Sequence, residues 1–285
     1  MKYEYFKVEI NNHLARVIFD RPQKANSLHL AAWHEMRDIF DGLSQNNDVR
    51  VILFEAEGKH WCSGIDIELL MNFQQFDARG DEAERRQALR RFILDLQSCI
   101  SSIAACEKPV IALIHGACIG GGLDIAAACD IRYCTEDAFF SIKEIEWGMV
   151  ADLGSLQRLP HILSPGILNE MAYTGRNVSG TESVQIQLTN RCFAERQKMY
   201  NHGLEIAEQI ISHSPLAIKG TKEVINFSQK HSVEDALLYI ANYNAAFLSQ
   251  KDMMNAFASK MTQKKSYCNC ITMAIAIGSR PSGFR

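Results

Sequence analysis

The stretch Gly116-Ala-Cys-Ile-Gly-Gly-Gly122-Leu-Asp124 joins an apolar segment to a helix rich in small residues. Residues 110–115 predict a buried strand, and residues 123–129 predict the helix. Glycine lets the backbone approach a ligand closely, and the first turn of a helix leaves N–H groups unpaired. The junction therefore predicts a socket for developing negative charge. Three carboxylates lie around it in sequence: Asp124, Glu144 and Asp152.

A second junction of the same kind occurs earlier in the chain. Residues 49–54 are a continuous apolar run, which is typical of a buried parallel strand. They are followed by Glu57-Gly-Lys-His-Trp-Cys-Ser-Gly64-Ile65-Asp66 and then by a helical pattern over 67–73. Asp66 can cap that helix or help to shape a site, and the sequence leaves both interpretations open.

The composition and charge disfavour a membrane protein and a nucleic-acid-binding protein. The chain has 285 residues, 47% of them apolar, and a net charge of −3, which allows a full core in one or two domains. No run of about 18 apolar residues occurs, so we expect no membrane span. A basic stripe is also missing, so we expect no nucleic-acid partner.

The cellular location is predicted to be cytoplasmic. A strand pattern begins near residue 5, leaving little room for a signal or transit segment. The chain ends in Gly283-Phe284-Arg285, unlike a Ser-Lys-Leu peroxisomal address. None of the nine cysteines forms a Cys-x-x-Cys pair, which favours reduced thiols over disulfides and predicts no metal site. These cysteines are Cys62, Cys99, Cys106, Cys118, Cys129, Cys134, Cys192, Cys268 and Cys270.

The order of the predicted elements indicates an α/β fold. Strands and helices alternate up to residue 193, which is typical of a parallel sheet, and from residue 202 the pattern is helical. We expect a core at 1–200, a helical region at 201–265 and a tail at 266–285 whose lack of pattern is typical of disorder. Further expectations are a hairpin at 6–19, a helix at 28–43 capped by Ser27, a solvated charged segment at 77–91, and helices at 153–163, 165–174, 202–213, 215–227, 233–249 and 252–262.

Five motifs occur in a fixed order: Arg21-Pro22 with Asn26, His60-Trp-Cys-Ser-Gly-Ile-Asp66, Lys108-Pro109-Val-Ile-Ala, Gly116-x3-Gly-Gly-Gly122 and Leu156-Gln-Arg-Leu159. Together they resemble the hallmarks of the crotonase (enoyl-CoA hydratase/isomerase) superfamily over about residues 5–262. The resemblance implies a crotonase-like spiral ββα core with a C-terminal α-helical layer. It also implies a trimer or a dimer of trimers, and an acyl-CoA thioester substrate with no separate cofactor.

The acidic residues resemble one branch of that superfamily. Hydratases have glutamates at the positions of Asp124 and Glu144, and a glycine at the position of Asp152. The Asp, Glu and Asp found here resemble the Δ3,5-Δ2,4-dienoyl-CoA isomerase pattern. This resemblance implies isomerisation of 3,5-dienoyl-CoA to 2,4-dienoyl-CoA in fatty-acid β-oxidation. Glu144 would handle the proton at C2, Asp152 the proton at C6, and Asp124 would tune Glu144.

By the same resemblance, the backbone N–H groups of Ile65 and Gly121 form an oxyanion hole. Two such donors would stabilise dienolate charge on the thioester oxygen without reorganising. The positions that the resemblance assigns to substrate and coenzyme A binding are Lys24, Ala25, Ser63, Gly64, Ile65, Asp66, Ile67 and Gly121.

The sequence leaves alternative functions and alternative roles of single residues open. One is an enoyl-CoA hydratase in which Asp124 and Glu144 position water, and another is an RNA-binding homologue, which the acidic composition disfavours. Asp124 could instead be a helix residue satisfied by backbone amides. Glu146 is expected to be an ion-pair or surface group, and His115 a packed, hydrogen-bonded histidine.

Overall fold

The computed structural model describes residues 3–71, 81–258 and 261. Its strands are β1 (Phe6–Asn11), β2 (Leu14–Phe19), β3 (Val51–Ala56), β4 (Val110–Ile114), β5 (Ala117–Ile119), β6 (Ile131–Thr135), β7 (Phe139–Ser141), β8 (Val178–Ser179) and β9 (Arg191–Phe193). They form a six-stranded sheet in the order β1-β2-β3-β4-β6-β9 and a three-stranded sheet in the order β5-β7-β8. The pairs β1–β2 and β7–β8 are antiparallel, and the other pairs are parallel.

The α-helices are α1 (Leu30–Gln45), α2 (Ile67–Met71), α3 (Glu82–Ala105), α4 (Gly121–Ala128), α5 (Ser155–Arg158), α6 (Pro165–Thr174), α7 (Gly180–Gln185), α8 (Arg196–Ile211), α9 (Pro215–Ser228) and α10 (Val233–Phe247). Residues 250–258 are also helical. Short 3-10 helices occur at Pro22–Lys24, Glu144–Trp147 and Leu159–His161. None of the helices in the described ranges has the length and apolar composition that a bilayer crossing requires.

The central strands of the larger sheet are buried on both faces. Successive side chains of a strand point to opposite faces. Residues 51–54 of β3 and all five residues of β4 are apolar. Val51 and Leu53 face α8 together with Ile111 and Leu113. The intervening residues of both strands join the main core with side chains from α1, α3 and α4. Burying each such side chain contributes about 1.5–3 kcal/mol, so helices must cover both faces.

The predicted α/β class is confirmed, and most elements lie where the pattern placed them. The prediction that Ser27 caps the first helix is wrong. The cap is His29, whose ring accepts from Ala31 N at 3.4 Å, and the Ser27 hydroxyl donates to Asp66 instead, at 3.3 Å. Leu28 is drawn out of the helix because it pairs with Ile65 in a parallel bridge.

Other differences concern short elements and boundaries. The helix expected at 153–163 is divided into α5 and a 3-10 turn, since Pro160 has no N–H to continue an α-helix. Strands β5, β8 and β9 are too short to give a sequence pattern. Helix α8 crosses residue 200, and the domain division stays a prediction. The predicted tail at 266–285, Cys268, Cys270, residues 72–73 and residues 77–80 lie outside the described residues.

The C-terminal helices are anchored to the core through Lys222. Its ammonium donates to Asp130 Oδ2 at 2.7 Å and to Lys108 O at 3.0 Å. Helix α10 then packs on α9, with Phe227 stacked on Tyr239 at a centroid distance of 4.1 Å. This arrangement fixes α9 on the core but leaves α10 without a buried residue.

Helix α4 is closed at its C-terminal end by the buried side chain of Arg132. Its Nη1 donates to Cys129 O at 2.7 Å, and its Nε donates to Leu188 O at 2.8 Å. A cation at this end of a helix also complements the helix dipole. Since Asp124 lies on α4, this contact helps to fix the helix that carries a candidate site residue.

We expect Arg132→Met to lower the free energy of unfolding by about 2–3 kcal/mol, because two buried carbonyls lose charged donors. Urea unfolding would measure the loss. Arg191→Met is the matched control, since Arg191 is an exposed arginine on the adjacent strand that contacts the Phe193 ring. The control should lose less than about 1 kcal/mol. Equal losses in the two variants would contradict this account of Arg132.

Candidate active site

The two glycine junctions lie against each other in the folded chain. A parallel bridge between Cys62 and Cys118 aligns them, with Cys62 N donating to Ala117 O at 3.0 Å and Ile119 N donating to Cys62 O at 3.2 Å. A Cβ on Gly64 would lie 2.8 Å from the carbonyl of Ile119 and 3.0 Å from the nitrogen of Gly121. The contact therefore requires glycine at position 64, where φ is also +85°.

Each junction supplies one unpaired backbone donor. Within the described part of the chain, the N–H groups of Ile65 and Gly121 donate no hydrogen bond. Gly121 is the first residue of α4, so its N–H has no partner within the helix. The indole of Trp33 lies behind it, 3.0 Å from where a Cβ on Gly121 would be. Two free donors on a rigid backbone are suited to bind an oxyanion.

A buried asparagine holds the loop in front of this site. Asn26 is 1% exposed, and its amide nitrogen donates to the carbonyls of Glu57 and His60 at 2.9 and 2.7 Å. Its Oδ1 accepts from Arg21 N at 2.9 Å. Asn26 has φ +53°, a left-handed conformation that asparagine tolerates. The loop that carries Lys24 and Ala25 is thereby tied to the first glycine junction.

Asp66 caps α2, as one of the two interpretations of the sequence predicted. Its carboxylate accepts from Glu68 N at 3.0 Å and from Arg21 Nη1 at 2.5 Å. Burial raises the pKa of Asp66, but these hydrogen bonds and the Arg21 charge outweigh it, so the pKa is lower than usual. Asp66 is therefore a satisfied anion, and its predicted part in substrate binding stays a prediction.

Residues 24, 25, 63 and 67, which are also predicted to bind coenzyme A, form the rim of the site. The Ala25 carbonyl accepts from Ser63 N at 3.1 Å, which joins the Lys24 turn to the Gly64 junction. Lys24 is exposed, and its ammonium lies 3.3 Å from Glu68. The side chain of Ile67 is 59% exposed. These residues leave a charged and an apolar side chain facing solvent beside the two free amides.

Asp124 is fully buried next to Glu144. Its Oδ1 accepts from Ser155 N at 2.5 Å, whereas its Oδ2 has no partner among the described residues. The interpretation of Asp124 as a residue satisfied by backbone amides therefore holds for one oxygen alone. Burial and the Glu144 charge raise the pKa of Asp124 to about 7, although Ser155 and Arg158 act in the opposite direction.

Glu144 begins the 3-10 turn after β7, and its carboxyl group lies against the glycine turn. Its Oε1 is 3.3 Å from where a Cβ on Gly120 would be. Its Oε2 is buried and has no partner among the described residues. Burial raises the pKa of Glu144, and the Asp152 charge adds to this. Glu144 thus links the other two carboxylates electrostatically.

Asp152 lies at the outer end of the three carboxylates. The residue is exposed in the isolated chain, yet its charge acts on Glu144, and partial burial raises the pKa of Asp152 itself. Its neighbours Ala151 and Leu153 are buried, and its carbonyl accepts from Gln97 Nε2 at 2.6 Å. The three acids therefore form a series that begins in the core and ends at the surface.

Residues 9–266 match the family model described as enoyl-CoA hydratase/isomerase. The chain belongs to the enoyl-CoA hydratase/isomerase family. It is 43% identical to the peroxisomal Δ(3,5)-Δ(2,4)-dienoyl-CoA isomerase of Arabidopsis thaliana, over 92% of this chain and 95% of that one. It is 36% identical to the mitochondrial dienoyl-CoA isomerase of Homo sapiens, over 92% of this chain and 81% of that one.

Solved structures of the enoyl-CoA hydratase/isomerase family share the fold. The enoyl-CoA hydratase from Bacillus anthracis superposes with a TM-score of 0.80 at 25% identity, covering 90% of this chain and 97% of that one. A Streptomyces coelicolor protein assigned as an enoyl-CoA hydratase gives a TM-score of 0.82 at 25% identity, covering 92% of this chain and 93% of that one. The crotonase-like fold predicted from the motifs is therefore confirmed.

The cytoplasmic location predicted from the sequence is wrong. The two dienoyl-CoA isomerases named above are peroxisomal and mitochondrial proteins. Receptors read location from short address segments and not from the folded core. The composition of the core and the state of its thiols therefore do not distinguish these compartments.

Several other residues of this family member have local roles. Glu146 forms the predicted ion pair, with Lys143 at 2.6 Å. His115 is buried beside the carbonyl of Gly58, at 3.2 Å from Nε2, and burial with the Arg196 charge lowers the pKa of His115 to about 4. The packed histidine predicted from the sequence is thus confirmed. The described cysteines are free thiols, as expected.

His34, Asp95 and Cys99 also lie close together, with one potential ligand atom from each within 4.8 Å of the others. Asp95 is already paired with His34 at 2.6 Å and with Arg37 at 2.9 Å. These contacts balance its charge without a metal ion. The absence of a metal from the active site stays a prediction.

Sequence reasoning missed two contacts of the acidic series. The Ser155 N–H that binds Asp124 gives no sequence signal, because any residue except proline supplies a backbone N–H. Arg158, whose charge acts on Asp124, lies in the Leu156-Gln-Arg-Leu159 motif, but the motif does not say which group it faces. Both contacts depend on how the loop after Asp152 folds.

The raised pKa of Asp124 predicts a pH-dependent stability. The folded-state pKa of Asp124, about 7, lies above the ordinary value of 3.8. Its contribution to the free energy of unfolding is therefore fully present below about pH 4 and is lost as the pH rises to 7. Urea unfolding at pH 5 and pH 8 should show a loss of about 3 kcal/mol linked to this group. Asp124→Asn should reduce that loss. An unchanged pH dependence in the variant would contradict the assignment.

Proposed function

We propose that this member of the enoyl-CoA hydratase/isomerase family converts 3,5-dienoyl-CoA to 2,4-dienoyl-CoA in fatty-acid β-oxidation. The observation that carries the proposal is the series Asp124, Glu144 and Asp152 beside two free backbone donors. Relatives named as dienoyl-CoA isomerases, 36–43% identical over most of the chain, support it. The reaction named for these relatives specifies an acyl-CoA substrate, which the acids alone would not.

The first part of the proposal is charge stabilisation at the thioester oxygen. Removing a proton from C2 of a 3,5-dienoyl thioester gives a dienolate, with negative charge on that oxygen. The N–H groups of Ile65 and Gly121 would donate to it. Losing one such donor typically costs about 2.7–4 kcal/mol of transition-state stabilisation. The contact between Gly64 and Gly121 would keep both donors fixed during the reaction.

The second part is proton transfer at the two ends of the conjugated system. Glu144, ionised at rest, would take the proton from C2. Asp152, protonated at rest, would give a proton to C6, so that the double bonds move from 3,5 to 2,4. Glu144 then holds a proton and Asp152 is ionised. The exposed position of Asp152 would allow exchange with solvent to restore the resting state.

Unequal protonation of neighbouring carboxyls is what this scheme requires. Two acids that share a poorly hydrated pocket cannot both ionise readily, so their proton affinities separate. Burial raises the pKa of both Glu144 and Asp152, and the charge of Asp152 raises the pKa of Glu144 further. An ionised Glu144 therefore requires that Asp152 hold the proton, which removes that charge. An ionised Asp124 would strengthen Glu144 further as a base. We assign Asp124 this supporting part.

The rim would hold the coenzyme A portion of the substrate. We propose that Lys24 meets phosphate charge and that the backbone from Ala25 to Ile67 borders the pantetheine arm. The residues in this assignment are Lys24, Ala25, Ser63, Gly64, Ile65, Asp66, Ile67 and Gly121. Proton transfer between carboxyls and carbon needs no redox or metal chemistry, so we propose that no separate cofactor takes part.

We also propose that copies of this chain associate through the C-terminal helices, as a trimer or a pair of trimers. Helix α10 has no buried residue, and several of its apolar side chains are exposed. Val233, Leu237 and Leu238 are each more than 60% exposed. Contiguous apolar surface of this kind is typical of protein interfaces.

An enoyl-CoA hydratase is the second candidate function. The buried oxygens Asp124 Oδ2 and Glu144 Oε2, which have no partner in the described part of the chain, favour it, since two such acceptors could hold a water molecule for addition. Faster hydration of crotonyl-CoA than isomerisation of 3,5-dienoyl-CoA, unaffected by Asp152→Asn, would establish this alternative over the isomerase.

We expect the protein to produce the conjugated 2,4-dienoyl chromophore from 3,5-dienoyl-CoA, measured by ultraviolet absorbance. Glu144→Gln and Asp152→Asn should each lower kcat by about 100- to 10,000-fold, the usual contribution of a proton-transfer group. Glu146→Gln is the matched control, because Glu146 lies in the same 3-10 turn but pairs with Lys143. It should keep the original rate.

Deuterium exchange separates the two acids. In heavy water, Asp152→Asn should still exchange the C2 hydrogen, whereas Glu144→Gln should not, and mass spectrometry would detect the difference. A protein that forms no chromophore is not this isomerase. If Glu144→Gln and Glu146→Gln react at the same rate, the assignment of Glu144 is wrong.

We expect Leu238→Glu to shift the protein toward monomer in sedimentation experiments, since a charge in an apolar interface is poorly tolerated. Ile10→Glu is the control, because Ile10 is an exposed apolar residue on β1 and does not belong to the helix that carries the proposed interface. It should leave the assembly unchanged. A wild-type protein that sediments as a monomer would refute the proposed association.

A further inference from the structure

The side chain of Arg158 folds back onto the start of its own helix. Its Nη1 donates to Leu153 O at 3.4 Å, and its Nη2 donates to Ser101 Oγ at 3.3 Å. A Cβ on Gly154 would lie 1.7 Å from Nη1. Gly154 also has φ +135°, a conformation that L-residues rarely adopt. Residues 153–154 are therefore shaped around the guanidinium group.

This segment connects two of the three acids in the candidate active site. Asp152 precedes it directly, and Ser155 follows it and donates its N–H to Asp124 Oδ1. The carbonyl of Gly154 accepts from the backbone of Arg158 at 2.9 Å. The Arg158 guanidinium thus contacts residues 153–154. These lie between the carboxylate of Asp152 and the Ser155 N–H that binds the buried Asp124. A shift of this segment would move both.

The charges around Arg158 also concern the acids. Its positive charge lowers the pKa of Asp124, against burial and the Glu144 charge, which raise it. Burial lowers the pKa of Arg158 itself, and the Asp124 charge and the Cys129 thiol oppose this. The contacts from α3 are neutral: Ser101 Oγ on Arg158 and the Gln97 amide on the carbonyl of Asp152.

We propose that Arg158 is a positioning residue for the isomerisation, and this inference rests on the proposed function. It holds residues 152–155 so that the Asp152 carboxyl and the Ser155 N–H keep their places, and its charge favours an ionised Asp124 beside Glu144. Arg158 touches no reacting atom. Through these contacts, the arginine of the Leu156-Gln-Arg-Leu159 motif affects the positions of two acids of the site, Asp152 and Asp124.

Arg158→Gln and Arg158→Lys separate the geometric role from the role of charge. Glutamine removes the charge and most of the contacts, so kcat for 3,5-dienoyl-CoA should fall by about 100-fold, the size expected for a misplaced acid. KM should change little. Removing a cation strengthens proton binding by the coupled Asp124–Glu144 pair, so the acidic limb of the pH profile of kcat/KM should move to higher pH.

Lysine keeps the charge but not the planar, multidentate donor group. Arg158→Lys should therefore restore the acidic limb toward its wild-type position while kcat stays reduced. Arg16→Gln is the control for a loss of stability. Arg16 pairs with Glu9 and Glu55 on the β1–β3 side of the sheet, so this variant should unfold more easily without moving the pH profile.

The outcomes are distinct. If the wild type is inactive toward 3,5-dienoyl-CoA, the proposed function fails. If the wild type is active and Arg158→Gln keeps kcat within about twofold and an unmoved acidic limb, the role of Arg158 is refuted while the function stands. If Arg158→Gln does not fold, Arg158→Lys decides: a lowered kcat supports the positioning role, and a wild-type kcat overturns it.

Discussion

The backbone contact between Gly64 and Gly121 is the constraint on which the rest of the site depends. Two strand-to-helix junctions meet there through the Cys62–Cys118 bridge, and a single methyl group at position 64 would collide with the backbone of Ile119. Because the junctions touch, the N–H groups of Ile65 and Gly121 lie close together, and neither has an acceptor among the described residues. Unpaired donors are costly in a core, and a site that binds negative charge is where such a cost is offset.

The acidic series has the opposite electrostatic character, and Glu144 lies against Gly120 of the same glycine turn. Asp124 and Glu144 each retain a buried oxygen without a partner among the described residues, and burial raises the pKa of both. A core held together only for stability would not keep such groups, because paired or apolar side chains would cost less. The arrangement is intelligible if the carboxyls exchange protons with a substrate whose enolate charge the amides bind.

Both halves of the site are supported by residues outside it. Trp33 lies behind Gly121, Asn26 ties the loop of Lys24 to the first junction, and Arg132 closes the helix of Asp124. Arg158 adds a contact to the segment between Asp152 and Ser155. Each of these side chains is held by packing or by hydrogen bonds to main-chain atoms. Positional precision of this kind is what proton transfer over short distances requires.

The sequence alone determined the α/β class, the two glycine junctions and the three acids, because hydrophobic period, glycine spacing and motif order are local properties. It could not determine that Ser27 does not cap the first helix, because Leu28 pairs with Ile65, which belongs to a loop far away in the sequence. Nor could it show that Glu144 lies against Gly120, or that one oxygen of Asp124 has no partner among the described residues. Those features depend on which segments meet in space, and residues far apart in the chain are brought together by the packing of the sheets and helices.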